Sequence, residues 1–89
     1  MRENTTNILK AIPTKIWEFR EYPKGSLLES GIVLNETATF IYKMCNDDKK
    51  VSEIIEMILK NYKVNPEKAK IDTINCIKEL FNVNAIKLK

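Results

Sequence analysis

The spacing of apolar positions changes about a third of the way along the chain. Up to Leu34 they lie in short extended runs broken by turn residues, and from Ala38 onward they recur at three and four residues. Lys15 to Tyr22 (KIWEFREY) is rich in aromatic and β-forming residues and predicts a strand. Pro23-Lys24-Gly25 supplies a turn, with φ fixed at Pro and unrestricted at Gly. Ser26 to Glu29 predicts a second strand, and Ser30-Gly31 fits a two-residue hairpin turn because Gly31 takes positive φ without steric cost. Ile32-Val33-Leu34 follows as a short third strand. The first part of the chain is therefore expected to be a three-stranded antiparallel meander.

Asn35 is suited to cap a helix, since its side-chain oxygen can accept from orphan backbone N–H groups. Ala38, Ile41, Tyr42 and Cys45 then mark one buried helix face. Asn46 to Lys50 interrupts the period as a loop. Val51, Ile54, Ile55, Ile58, Leu59 and Tyr62 predict a second amphipathic helix. Asn65-Pro66-Glu67 starts a third, with a cap, a proline suited to the first helical position and an acid for the positive helix end; it runs to about Asn82. Ala85 to Leu88 reads as a short strand or a tail. Residues 1–14 show little pattern beyond Ile8, Leu9 and Ile12. They are expected to form a flexible arm, or a strand used only in an assembly, ahead of one domain over 15–89. The fold class is α+β: a three-stranded antiparallel sheet followed by three helices.

The third helix is apolar over a wider sector than one core face needs. Ala69, Thr73, Cys76, Ile77 and Leu80 fall on one arc that suffices to pack it. Ile71, Ile74 and Phe81 lie on the flank beyond, with Lys78 among them. Two readings fit: a central helix covered on both sides by its own fold, or a groove wall awaiting a partner. The third strand raises a parallel question. It is short and uncharged, and at a sheet edge it would expose backbone groups with no Lys or Pro to discourage pairing. Such an edge is covered internally or captures an extended peptide.

Composition removes most chemistry. Eighty-nine residues make one domain, with 44% hydrophobic residues for one core. The charge of +3 is a weak bias, and Arg2 and Arg20 are the only arginines, which argues against a dedicated nucleic-acid binder. There is no His, so imidazole-based catalysis and metal binding are excluded. Two glycines cannot build a phosphate loop. Asp47-Asp48 reads as a solvated turn rather than a calcium loop, and Lys49-Lys50 as solvated loop. Trp17, Phe19 and Tyr22 fit core packing or sheet cover better than base stacking. Cys45 and Cys76 sit far apart at helical core spacing and are expected as reduced thiols. No apolar run approaches the length of a bilayer span, and Met1 to Asn7 lacks the apolar core of a secretory signal. The chain reads as a cytoplasmic binding module: no enzyme, no catalytic residues, no cofactor, no metal, no nucleic acid and no membrane.

The order of short motifs carries a resemblance. Leu27-Leu28, Leu34-Asn35 with Thr37-Ala38, Cys45-Asn46-Asp47, the helix start around Val51, Glu53 and Ile54, Tyr62, Asp72 and Leu80 together resemble the PqqD family of peptide chaperones. These are also called RiPP precursor recognition elements. The resemblance covers about Lys15 to Ile86. The chain departs from it at Asp48, where the family often has Gly, at Lys50, where Thr often caps, and at Asn84, where Gly often ends the last helix. Without Gly, the loop after the first helix must place Asn46 or Asp48 in a left-handed conformation.

The resemblance implies a winged-helix-like recognition domain over 15–89. It implies that the leader segment of a ribosomally made precursor adds as a strand beside the third strand and is presented to a modifying enzyme, a radical SAM maturase or a lasso-type leader protease. Carried over, Ile32, Val33 and Leu34 would form the groove floor and supply backbone pairing. Ile71, Ile74, Lys78 and Phe81 would line its wall, with Lys78 meeting an acidic leader side chain. The open edge also allows a homodimer. A winged-helix DNA-binding protein is the alternative, in which the third helix enters the major groove.

Overall fold

The computed structural model of the chain describes residues 5–89, with side chains described from Ile8 onward. Its elements run α1 (Thr5–Lys10), β1 (Pro13–Lys15), β2 (Phe19–Tyr22), β3 (Gly25–Leu28), β4 (Val33–Asn35), α2 (Glu36–Lys43), α3 (Val51–Asn61), α4 (Pro66–Asn82) and β5 (Ile86–Leu88). The expected architecture is present: an antiparallel sheet ordered β2-β3-β4 followed by the helices α2, α3 and α4. "Winged-helix-like" describes it loosely, because β1 and β5 pair as a separate two-stranded sheet.

Three local differences from the sequence expectations have physical causes. Lys15 to Tyr22 is two strands in two sheets, because the chain crosses between the sheets at residues 16–18. The buried Tyr42 hydroxyl holds this crossing. It accepts from the Trp17 backbone N–H at 3.1 Å, and the Trp17 and Ala85 carbonyls lie at 3.0 and 3.2 Å as its acceptors. Burial is the main cause that pushes the Tyr42 phenol pKa up. The β3–β4 connection is a three-residue loop, Glu29 to Gly31, rather than two residues. Leu28 N–H bonds to Ile32 O, Gly31 N–H bonds back to Leu28 O, and Gly31 takes φ +99°. Finally, the residue at positive φ after α2 is Asp47 (φ +66°), not Asn46 or Asp48. Its N–H bonds to Pro13 O, and its carboxylate accepts from Thr14 Oγ1 at 3.1 Å and Lys89 Nζ at 2.7 Å. The acidic turn thus ties β1 to the residue after β5, and these two hydrogen bonds, Lys89 first, hold the Asp47 carboxyl below its ordinary pKa.

Residues 1–4 of the expected arm lie outside the described residues. From Thr5 on, the stretch is helix and strand, the boundary expected at Lys15 falls within β1, and Ile8 packs on the core. The helix starts follow their sequence signals. Asn35 Oδ1 accepts from Ala38 N–H, Asn65 Oδ1 from Glu67 and Lys68 N–H, and Glu53 takes the Lys50 N–H where no hydroxyl cap is present. Asn84 (φ +60°) ends α4, with its N–H bonded to Phe81 O and Ala85 N–H to Leu80 O. That paired-bond ending is usually built on Gly, and Asn serves it here. The core lies between the sheet and the helices. Leu28, Ile41, Tyr42, Ile54 and Ile77 are at its centre, and the Ser26 and Thr39 hydroxyls are paired within it at 2.8 Å. Both cysteines are free; Cys45 is buried and Cys76 half-buried.

Candidate binding groove at the sheet edge

Among the described residues β4 is an edge strand, bonded to β3 on one side only. Its register with β3 is Ser26↔Leu34 and Leu27↔Val33, and the Leu28 N–H bond to Ile32 O makes Leu28–Ile32 a hydrogen-bonded pair. Hydrogen-bonded and non-bonded pairs alternate in an antiparallel ladder. Ile32 and Leu34 therefore direct their backbone groups at β3, while Val33 directs its N–H and C=O away from it. The side chains alternate with the same period. Leu34 is buried, and Val33 is 76% exposed on the outer face of the sheet.

Alongside this edge runs α4. Between them lies a mostly apolar cavity of about 340 Å³, lined by Ile32, Val33, Leu34, Ala38, Cys76, Glu79, Leu80, Asn82 and Val83. A second cavity, of about 330 Å³, shares Ala38, Cys76 and Glu79 with it and extends along α4 to Asn75 and Asp72, beside Asn35 and Thr37. Together they make one groove running from Val83 to Asp72. At 1.5 Å per helical residue that is roughly 16 Å, the reach of about five residues of extended peptide.

Of the residues expected to bind a peptide, Ile32, Val33 and Leu34 line this groove. Ile71, Ile74, Lys78 and Phe81 do not. They form a stripe on the opposite flank of α4, roughly 150° round the helix from Cys76, Glu79 and Val83. Within that stripe Ile74 is 7% exposed and belongs to the core, Lys78 is half-buried, and Ile71 and Phe81 are exposed. Both flanks of the core arc border apolar positions. The greasier flank, with Ile71 and Phe81, lies outside the cavities, and the fold turns the other flank toward β4. By helical spacing Cys76 belongs to the core arc, and Val83 lies beyond the expected helix end. Only the half-burial of Cys76 and the nearness of the α4 end to β4 reveal their position.

Burial, and after it the charge of Glu79, pushes the Cys76 thiol up to about 11, so it stays protonated at neutral pH. Among the described residues no group of three potential ligands could hold a metal ion, and no helix is long and apolar enough to cross a membrane. The α4 surface beside the groove carries Asp72 and Glu79, and nothing in the structure favours DNA binding.

A family model for PqqD, described as coenzyme PQQ synthesis protein D, matches residues 27–86, more than half of the chain. The chain belongs to the PqqD family. The matched residues run from β3 to the first residue of β5 and so contain the whole groove. PqqD proteins are RiPP recognition elements: non-catalytic accessory proteins that bind peptide and work with a biosynthetic enzyme. No curated protein and no solved structure matches the chain significantly.

Proposed function

We propose that this PqqD-family chain binds the leader segment of a ribosomally synthesised precursor as an added strand on β4, and presents it to a radical SAM maturase or a leader protease. The observation that carries this reading is the outward Val33 N–H and C=O beside an apolar cavity walled by α4. An incoming strand pairs with Val33 and turns alternate side chains into the groove, while the others face outward toward the enzyme.

The floor of this site is Ile32, Val33 and Leu34, as the family resemblance implies, and its wall is Cys76, Glu79, Leu80 and Val83. Each backbone hydrogen bond contributes about 1 kcal/mol net, and each buried apolar side chain about 1.5–3 kcal/mol. With only three residues in β4, affinity is modest, and docking to the enzyme raises the effective concentration of the leader. The groove is also open to β4 of a second copy, which makes a homodimer the competing occupant.

The test is titration of the isotope-labelled chain with leader peptides from short reading frames next to its gene, followed by backbone NMR. Saturable shifts at residues 32–35 and at Cys76, Glu79 and Val83, weakened by Val83→Asp and not by Phe81→Asp, support the proposal. An absence of saturable shifts, or shifts confined to the Ile71–Phe81 flank, would overturn it. Concentration-dependent shifts at β4 without peptide would instead identify the second copy.

A further inference from the structure

The two cavities differ in chemistry. The first is mostly apolar with Glu79 in its lining, whereas the second adds the carboxylate of Asp72 to that of Glu79. No Lys or Arg lines either one among the described residues. Asp72 already has a cation, Lys68 Nζ at 3.2 Å on the preceding turn. Glu79 has no such partner among the described residues, and it is the one charged residue common to both cavities. A second source of negative potential adds to it. The C-terminal end of α4 opens on the apolar cavity through Asn82 and Val83, and the last turn of the helix contains no basic residue. Helix C-termini carry partial negative charge that favours a cation. The influence of the Glu79 charge on the Cys76 thiol is consistent with a carboxylate that acts into the groove.

We infer that the groove selects an extended peptide with a Lys or Arg side chain next to its apolar anchor, and that Glu79 is the residue that sets this preference. The inference rests on the peptide reading above and adds the charge of the partner. It reverses the sign expected from Lys78, which lies on the other flank of α4 and outside both cavities. The apolar side chain occupies the cavity between β4 and the end of α4. The basic side chain lies within one or two residues of it, toward Glu79 and Asp72, with its alkyl stem along Ala38 and Cys76.

Multivalent phage display of random nonapeptides on the immobilised full chain, which retains weak binders, tests this. The wild-type chain is expected to enrich Lys and Arg over Asp and Glu beside an apolar position by about tenfold, the combined effect of one partly screened attraction and the matching repulsion. Glu79→Gln should abolish the preference, and Glu79→Lys should reverse it. Phe81→Lys, which changes the net charge by the same amount as Glu79→Gln but on the far flank, should leave it as in the wild type. Glu79 is exposed, so these changes are compatible with folding, and circular dichroism checks it. A wild-type pool with no charge preference or an acidic one, or a Glu79→Lys pool identical to wild type, overturns the inference and leaves the groove standing. No enrichment above uncoated support refutes the peptide groove itself, and the charge preference with it.

Discussion

Gly25 and Leu34 meet through their backbones: any Cβ at position 25 would overlap the Leu34 carbonyl oxygen. The contact lies where the β3 turn passes β4, next to the paired Gly25 and Asn35. Its obstacle is backbone, not the end of a flexible side chain, so β4 itself would have to move. Gly25→Ala should therefore destabilise the fold by about 1–3 kcal/mol, the usual range for overpacking. It should also weaken peptide binding, because β4 is the floor of the groove. Urea unfolding together with peptide titration checks both effects.

The two faces of the β4 backbone should respond oppositely to proline. Val33 directs its N–H outward, and proline is tolerated on an edge strand when the missing donor faces solvent. Val33→Pro should leave the chain folded and weaken peptide binding about tenfold or more, because it removes one backbone donor and blocks close pairing. Leu34→Pro removes a group that faces β3 and should unfold the sheet. Circular dichroism and a binding titration separate the two outcomes.

Tyr42→Phe keeps the ring in the core and its edge contact with Phe19, and removes only the hydroxyl that accepts from Trp17 N–H. Loss of that partner should cost about 1–2 kcal/mol. In a domain of this size that lowers Tm by roughly 4–16 °C, measurable by calorimetry.

Both thiols should be slow. Burial pushes Cys45 to about 12 and Cys76 to about 11 from an ordinary 9.0. At neutral pH the Cys76 thiolate fraction is then about 100-fold below that of an unperturbed thiol. Ellman's reagent should label Cys76 slowly, Cys45 more slowly still, and both rapidly in denaturant. A bound peptide should slow Cys76 further. A raised thiol pKa stabilises the fold below the unfolded pKa, and this contribution is lost as pH rises through the folded value. Stability should fall from about pH 9 upward, and Cys45→Ala should flatten that fall even if it lowers stability overall.

On the acid side, Lys89 and Thr14 hold the Asp47 carboxyl below its ordinary value. A depressed carboxyl contributes stability above its unfolded pKa and loses it as pH falls through the folded one. Asp47→Asn should remove that part of the acid dependence, as read from urea midpoints between pH 6 and pH 2.

The elements that rest on local chemistry were legible in the chain. Caps at Asn35 and Asn65, the proline opening α4 and the glycine of the β3–β4 loop act over three or four residues, and their signals lie together in sequence. The strand at 13–15 was not legible, because its partner is at 86–88 and the pairing leaves no local mark. The division of KIWEFREY between two sheets depends on partners far away in sequence: the Tyr42 hydroxyl at Trp17, the Ala85 carbonyl at Ile16 N–H and the Cys45 carbonyl at Lys15 N–H.

The groove shows the same division. Hydrophobic spacing alone determined that the third strand was short and undefended, and that α4 is apolar over more than one face. It could not determine which flank of α4 lies against the strand, because a helical period fixes angles about the axis and not the direction in which the axis is turned. Packing of α4 on α2 and α3 decided that. It buried Ile74 in the core, left Ile71 and Phe81 on the far side, and brought Cys76, Glu79 and Val83 to the edge of β4.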